Sequence, residues 1–307
     1  MASPVAVIIN AKAGGKHDAN WAAGLTEKFR DVGMAVAVTL AADGDAMLAT
    51  ARAALAAGAN MVVAGGGDGT LNAVASTIVG SGCALGVLPL GTLNHFAKDL
   101  GIPLALDAAI AVIAAGHVIA VDAGEVNDRL FLNNSGLGMY PDIVRDREHQ
   151  QERLGRGKWL AFASATLGAL RRYPFLTVRL QMEDRMHERQ TPFVFIGNNA
   201  YSISGFTLGE RNTLQDGLLS LYVAQRTSRI GLLRLALRSL FGRLEQARDF
   251  DAMTAAELVI ETRHRRLLVA TDGEVTRMTT PLHYRTRPRA LRVVVPAPAA
   301  TVTATPD

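Results

Sequence analysis

The chain has 307 residues, of which 49% are hydrophobic and 6% aromatic, with a formal net charge of +4 at pH 7. This composition excludes a disordered or fibrous chain and supplies apolar material for two domains rather than one ordinary core. The mild basic excess suits anionic partners, nucleotide phosphates or an acidic membrane surface, without choosing between them.

In chain order, Val5 to Asn10 is a short apolar strand ending at a Gly14-Gly15 turn. Trp21, Leu25, Phe29 and Val32 recur at helical spacing, and Val36 to Leu40 reads as the next strand. Leu48, Ala51 and Leu55 mark a second helix closed by Gly58. Met61 to Ala64 is a buried strand running into a glycine cluster, and Leu71, Val74, Ala75 and Ile78 give the following helix its apolar face. Ala84 to Leu88 is another strand, and Ile110 and Ile113 lie on a helix stopped by Gly116. This βαβα order predicts a Rossmann-like parallel sheet with helices on both faces.

Beyond about Asp122, strand-like pieces follow one another: Leu130 to Asn133, Leu176 to Leu180, Phe193 to Gly197, Leu219 to Ala224, Leu258 to Glu261, Leu267 to Thr271, Leu282 to Arg285 and Leu291 to Val295. Helical stretches are expected only near Lys158 to Leu170 and Ile230 to Gln246. The second helix carries an apolar stripe with Arg234 and Arg238 close by, readable as a membrane-facing helix or as one packed on its own domain. The expected division is an α/β domain over 1–122 and a mostly antiparallel β domain over 123–296. The Ala/Pro/Thr-rich tail, 297–307, either stays loose or returns to the first domain. No apolar run approaches ~18 residues, so no transmembrane segment is expected. Met1 to Asn10 lacks the basic flank of a signal peptide, and the single cysteine, Cys83, reads as a small buried hydrophobe in a cytoplasmic chain.

The chemistry concentrates in Gly65-Gly66-Gly67-Asp68-Gly69-Thr70, set between a buried strand and a helix. Glycines let the backbone turn tightly and approach a ligand, and the helix N-terminus offers N–H groups and a positive dipole end to phosphate oxygens. Asp68 is an odd neighbour for phosphates unless Mg²⁺ or a substrate hydroxyl lies between them. Two commoner loops are excluded. A dinucleotide fingerprint would need glycine where Thr70 stands, and a P-loop would need glycine at Asn10 and Ser or Thr at His17.

Gly66-Gly67-Asp68-Gly69-Thr70-Leu71-Asn72, followed by Leu88-Pro89-Leu90-Gly91-Thr92-Leu93-Asn94, resembles the catalytic domain of the diacylglycerol kinase and sphingosine kinase family, with bacterial lipid kinases nearest in pattern. The resemblance continues through Phe131-Leu132-Asn133, Asp216-Gly217-Leu218-Leu219 and Asp272-Gly273-Glu274. It implies two domains like those of NAD kinases, ATP and Mg²⁺ as cofactors, and a lipid substrate met at the membrane surface by a cytoplasmic protein. Nucleic acid is not expected as a partner, and a homodimer is left open.

Carried over residue by residue, the resemblance implies that Gly65 to Leu71 wraps the nucleotide phosphates, with Thr92, Thr39, Asn10 and Lys16 as further nucleotide contacts. Ala11 and Ala13 stand where relatives usually have proline and serine. Glu274 aligns with the family's general base, and either it or Asp68 carries that work. Asp216, with backbone carbonyls near Thr213 and Leu218, matches a structural Mg²⁺ site, although Gln215 replaces a second acidic residue. His95 stands where many relatives have aspartate and receives no role in proton transfer. Two other functions compete with a lipid kinase: a NAD kinase, disfavoured by the Gly86 to Asn94 segment, and a former kinase that binds lipid or nucleotide without turnover.

Overall fold

The computed structural model describes residues 5–138 except 14 and 16, residue 141, residues 176–224 except 183–184, 206 and 212, residues 244–245, and residues 250–298. The chain divides into two compact units, Met1–Ala120 with Leu291–Asp307, and Val121–Ala290.

The first unit runs β1 (Val5–Asn10), α1 (Ala19–Asp31), β2 (Val36–Ala41), α2 (Gly44–Ala56), β3 (Met61–Gly66), α3 (Asp68–Ile78), β4 (Ala84–Pro89), a short α4 (His95–Asp99) and α5 (Leu106–Ala115). The strands are parallel in the order β2-β1-β3-β4. Val7, Ile8, Ile9, Val62, Val63, Ala64, Leu85 and Leu88 are all fully buried. Such continuous apolar runs belong to strands covered on both faces. The step from β1 to β2 goes one way along the sheet and the later steps go the other. Right-handed crossovers therefore place α1 on one face and α2 and α3 on the opposite face. Accordingly α1 packs with α5, and α2 with α3. Asp18 and Asp43 cap α1 and α2 through the N–H groups of Trp21 and Ala46. Helix α3, which follows Gly67, has no side-chain cap.

The second unit is antiparallel. Its strands are β5 (Val118–Val126), β6 (Arg129–Phe131), β7 (Asn134–Gly138), β8 (Leu176–Met182), β9 (Arg185–Thr191), β10 (Phe193–Asn198), β11 (Tyr201–Gly205), β12 (Thr207–Arg211), β13 (Leu219–Ala224), β14 (Leu244–Glu245), β15 (Phe250–Ala255), β16 (Glu257–Thr262), β17 (Arg266–Thr271), β18 (Glu274–Thr279) and β19 (Leu282–Val294). One sheet runs β15-β13-β10-β7-β17-β18. A second layer joins β19 to β16, β8 and β9. Leu137, Val194, Ile196, Leu221 and Val269 of the first sheet share one core with Val178, Leu180, Leu258, Ile260, Leu282 and Tyr284 of the second, making a β-sandwich. The small sheet β12-β11-β14 completes the described strands. The end of β19 belongs to the first unit, where Arg292 and Val293 pair in parallel with Ala84 and Leu85 of β4.

The fold is therefore an N-terminal parallel α/β domain with a C-terminal antiparallel β domain. Within it, some expected elements differ. The strand expected over Leu130 to Asn133 ends at Phe131 in β6, because the N–H groups of Leu132 and Asn133 turn to the Asp272 carboxylate before β7 begins at Asn134. The helical stretch expected at 158–170, and 230–243 of the other, lie outside the described residues. Leu244 and Glu245, expected to continue that helix, instead pair with Gly205 and Ser204 of β11, so backbone pairing overrides the helical spacing.

Asp122 pins the β domain from inside. It is fully buried, and its carboxylate accepts the N–H groups of Gly217 (2.7 Å) and Arg289 (2.8 Å). Asp122→Ala leaves both donors without their acceptor and is expected to cost about 3 kcal/mol, because hydrogen bonds to a charged group are the strong ones. A lower denaturant midpoint at unchanged slope checks it; an unchanged midpoint refutes the pin.

Candidate functional site

In a parallel sheet, ligand sites form beyond the carboxyl ends of the strands, where neighbouring connections diverge. In the order β2-β1-β3-β4 that point lies between β1 and β3. Asn10 ends β1 and Gly66 ends β3, and Asn10 Nδ2 donates to Thr70 Oγ1 across the divide (3.2 Å). The sequence-predicted Asn10, Gly65, Gly66, Gly67, Asp68, Gly69, Thr70 and Leu71 thus come together. Leu71 contributes from beneath as a fully buried core residue, its N–H bonded to Gly67 O. The N-cap Gly67 brings no side chain to the end of α3, and an N-terminus of that kind suits an anion.

The second glycine segment closes directly on this loop. The N–H groups of Leu90 and Gly91 both donate to Gly66 O (3.1 Å each). A Cβ on Gly91 would overlap Gly67 Cα, and one on Gly66 would overlap Thr70 Oγ1. Asn94, buried at a left-handed φ of 52°, holds the segment by donating to Pro89 O (3.2 Å) and Gly91 O (2.8 Å) and accepting from Gly91 N–H (3.0 Å). Asn94 ends the second motif, where its sequence context assigns it no role; the fold shows what its amide does. Thr92 is exposed on this segment, and Thr39 is exposed on the edge strand β2 beside Ile8. Lys16 lies outside the described residues.

The Asp68 carboxylate caps α4, accepting the N–H groups of His95 (3.2 Å) and Phe96 (3.0 Å). His95 meets Asp68 through its backbone, and its side chain is exposed. The short helix is thereby fastened to the first glycine loop.

In the β domain, Asp272 and Gly273 form the turn between β17 and β18, at φ of 48° and 88°. Asp272 accepts three backbone N–H groups, from Leu132 (2.6 Å), Asn133 (2.8 Å) and Asn134 (3.0 Å). The turn is therefore also a fixed anchor. Glu274 begins β18 with its side chain 57% exposed, and its Oε2 accepts from Arg129 Nη2 (2.5 Å). Arg129 is itself held by Thr271 Oγ1 (2.9 Å). Nothing in the sequence singles out Arg129, one arginine among many in a short strand with no motif around it.

Asp216 is exposed on a turn whose N–H donates to Asn199 Oδ1 (3.0 Å). Leu218 O accepts from Asn199 N–H (3.0 Å), and Thr213 Oγ1 accepts from Gln215 N–H (3.1 Å). Among the described residues no group of three acidic, histidine or cysteine side chains is gathered for a metal. A cation here would rest on one carboxylate with carbonyl and water oxygens.

A family model described as the diacylglycerol kinase catalytic domain matches residues 4–126. A second, the YegS C-terminal NAD kinase beta sandwich-like domain, matches residues 142–295, half of the chain. The chain belongs to the diacylglycerol kinase-like lipid kinase family. Within it, "Probable lipid kinase YegS-like" of Citrobacter koseri is 33% identical over 172 residues, covering 54% of this chain and 56% of that protein. "Probable lipid kinase YegS" of Salmonella gallinarum is 32% identical over 173 residues, with the same coverages. The chain thus matches little over half the length of these curated relatives. A solved diacylglycerol kinase structure from Bacillus anthracis str. Sterne has a TM-score of 0.69 at 19% identity, covering 95% of this chain and 97% of that one. A further structure from the same organism reaches 0.74 at 20% identity, with the same coverages. At such identities the likeness establishes the shared fold.

Because the two glycine segments of this family member touch through bare backbone, Gly91→Ala is expected to force them apart. The overlap is with backbone, which yields less readily than a side-chain tip, so a loss of about 2 kcal/mol is expected. A melting temperature several degrees lower checks it, and wild-type stability would refute the contact.

Proposed function

We propose that this chain is an ATP-dependent lipid kinase that transfers the γ-phosphoryl group to a hydroxyl of diacylglycerol or a related lipid alcohol. The observation that carries the reading is the uncapped N-terminus of α3 framed by two glycine segments at the carboxyl ends of β1, β3 and β4, in a chain of this family. Such a cradle suits phosphate oxygens, which need N–H donors and close backbone approach. Asn10 and Thr70 stand at its floor, Thr92 at its rim, and Thr39 and Lys16 are proposed as outer nucleotide contacts.

Mg²⁺, when bound with the nucleotide, would neutralise charge on the phosphate oxygens. Asp68 is proposed to share in holding it, its carboxylate being fixed beside the first glycine loop by the N–H groups of His95 and Phe96. Glu274 is proposed as the general base. Its Oε1 has no recorded partner among the described residues, whereas both oxygens of Asp68 are engaged with α4. In the proposed step Glu274 takes the lipid hydroxyl's proton as that oxygen bonds to the γ-phosphorus. The bond to the β-phosphate oxygen breaks, and the nucleoside diphosphate leaves with those electrons. Arg129 orients the carboxylate from behind. The protein is proposed to work in the cytoplasm and to meet its lipid at the membrane surface. No described helix is long and apolar enough to cross a membrane.

The test is incubation with Mg²⁺ and labelled ATP against diacylglycerol, monoacylglycerol, phosphatidylglycerol, sphingosine and ceramide in mixed micelles, with NAD as a separate acceptor. Label in a lipid supports the kinase and names its substrate class. Label in NAD overturns it in favour of a NAD kinase, and bound ATP with no transfer favours a binding protein. Glu274→Gln is expected to lower kcat by at least about 100-fold with nucleotide affinity unchanged; full turnover would remove the base assignment.

The turn at Asp216, with carbonyls near Thr213 and Leu218, is proposed as a structural Mg²⁺ site. Melting in Mg²⁺ against chelator measures it, because a cation bound only by the folded state raises the melting temperature. The wild type is expected to melt higher in Mg²⁺, and Asp216→Ala is expected to melt equally in both. Equal melting of the wild type would refute the site.

A further inference from the structure

The β domain carries a concentrated positive charge that the phosphoryl-transfer reading does not use. Arg263, His264, Arg265 and Arg266 are consecutive and all exposed; the first three form the connection from β16 to β17, and Arg266 opens β17. Its backbone is held in place. Thr262 Oγ1 donates to His264 O (3.0 Å) and accepts from His264 N–H (3.2 Å). Thr280 donates to His264 O through Oγ1 (2.8 Å) and to Arg265 O through its N–H (3.1 Å). Arg277 adds to the cluster from β18. It pairs with Leu268, two residues beyond Arg266, so Arg266 and Arg277 are diagonal neighbours on one face of the hairpin.

Elsewhere in this unit, five arginines are matched by acids, although exposed Arg185 and Arg289 stand singly without an ion pair among the described residues. Arg179 pairs with Glu188, Arg189 with Asp251, Arg129 with Glu274, and both Arg285 and Arg287 with Glu125. Among the described residues, no ion pair involves Arg263, Arg265, Arg266 or Arg277. Like charges held side by side on a fixed turn repel one another, and an anionic surface relieves that repulsion.

We propose that this turn is where the protein docks on an anionic bilayer. The inference rests on the reading that the substrate is a membrane lipid. That reading requires a chain without a described spanning helix to reach the bilayer from solution. A flat, diffuse negative surface matches a cluster of arginines with no enclosed pocket among them, and each cation near such a surface strengthens binding by about fivefold. The turn lies at the end of the β17–β18 hairpin opposite Glu274, five residues or about 17 Å away along the strand. Charge changes there leave the Asp272 turn untouched.

The test is co-sedimentation of the full chain with phosphatidylcholine vesicles, with and without about one third phosphatidylglycerol. The wild type is expected to bind the anionic vesicles at least about tenfold more tightly than the neutral ones, with binding lost at high salt. Arg263→Ala/Arg265→Ala/Arg266→Ala is expected to lose at least about tenfold in that binding, and Arg265→Glu alone about as much, with melting temperatures unchanged. Equal binding to neutral vesicles, or full anionic binding by both variants, would overturn the proposal. So would tight binding to single-stranded RNA with none to vesicles. The kinase reading is scored separately, by transfer to a lipid dispersed in neutral detergent. There the variants should match the wild type, and a wild type that docks without transferring phosphate would sink the kinase reading alone.

Discussion

The contact between Gly67 and Gly91 is the constraint on which the rest of the α/β domain's site depends. Two strand ends in a parallel sheet are only about 5 Å apart, and their connecting segments ordinarily keep apart by side-chain bulk. Here neither segment has any at the point of closest approach, and Gly66 O accepts two N–H groups from the neighbouring segment. The two loops therefore behave as one surface. Asn94 locks the second loop from below, and Asp68 carries the same rigidity on to α4. The uncapped end of α3 follows directly on these backbone bonds. That explains why a segment so rich in glycine, which alone would be entropically costly to order, can be rigid.

The β domain solves a different problem, that of fixing a turn on a mostly antiparallel framework. Residues Leu132, Asn133 and Asn134 are gripped from two sides. Their N–H groups go to Asp272, while Leu132 O accepts from Asn198 Nδ2 and from Arg211 Nη1, and Asn133 Oδ1 accepts from Arg211 Nη2. One level deeper, Tyr284 and Ser135 share a buried hydrogen bond (3.0 Å), and burial pushes the Tyr284 hydroxyl well above the ordinary tyrosine range. The hydroxyl thus stays neutral and serves as a fixed polar link in an apolar core. Glu274 stands two residues from Asp272, so this network sets its position. Arg129 of β6, held to Thr271, reaches it from another sheet.

How much of this could be read from sequence depended on whether a bond is local. The parallel strands were legible because β1, β3 and β4 are apolar throughout, and the glycine segments because their spacing admits few other uses. Strand β9, Arg-Met-His-Glu-Arg-Gln-Thr, was not, since its side chains are mostly polar and its pairing with β8 is what makes it a strand. Asp272 was readable as half of an Asp-Gly turn, and it is one. Its three N–H partners, however, lie about 140 residues earlier in the chain, beyond the reach of any pattern. Asp122 did leave a trace, since it and Glu125 are two carboxylates inside the otherwise apolar stretch Val118–Val126. A buried charge there calls for several donors, and Gly217 and Arg289 supply them.

The same geometry bears on how Asp68 and Glu274 divide the work proposed for them. A carboxylate that accepts backbone N–H groups at the start of a helix is held in one orientation by them. Asp68 is in that position, tied to two N–H groups at the start of α4. Such a residue suits a fixed share in holding a cation. A base must gain a proton and later give it up, which asks for a side chain with an oxygen to spare and a way to solvent. Glu274 has both, with its side chain more than half exposed and Oε1 uncommitted among the described residues. The substitution at His95 then matters less than its place in the motif suggests. What the loop takes from that residue is its backbone N–H, which any residue other than proline provides.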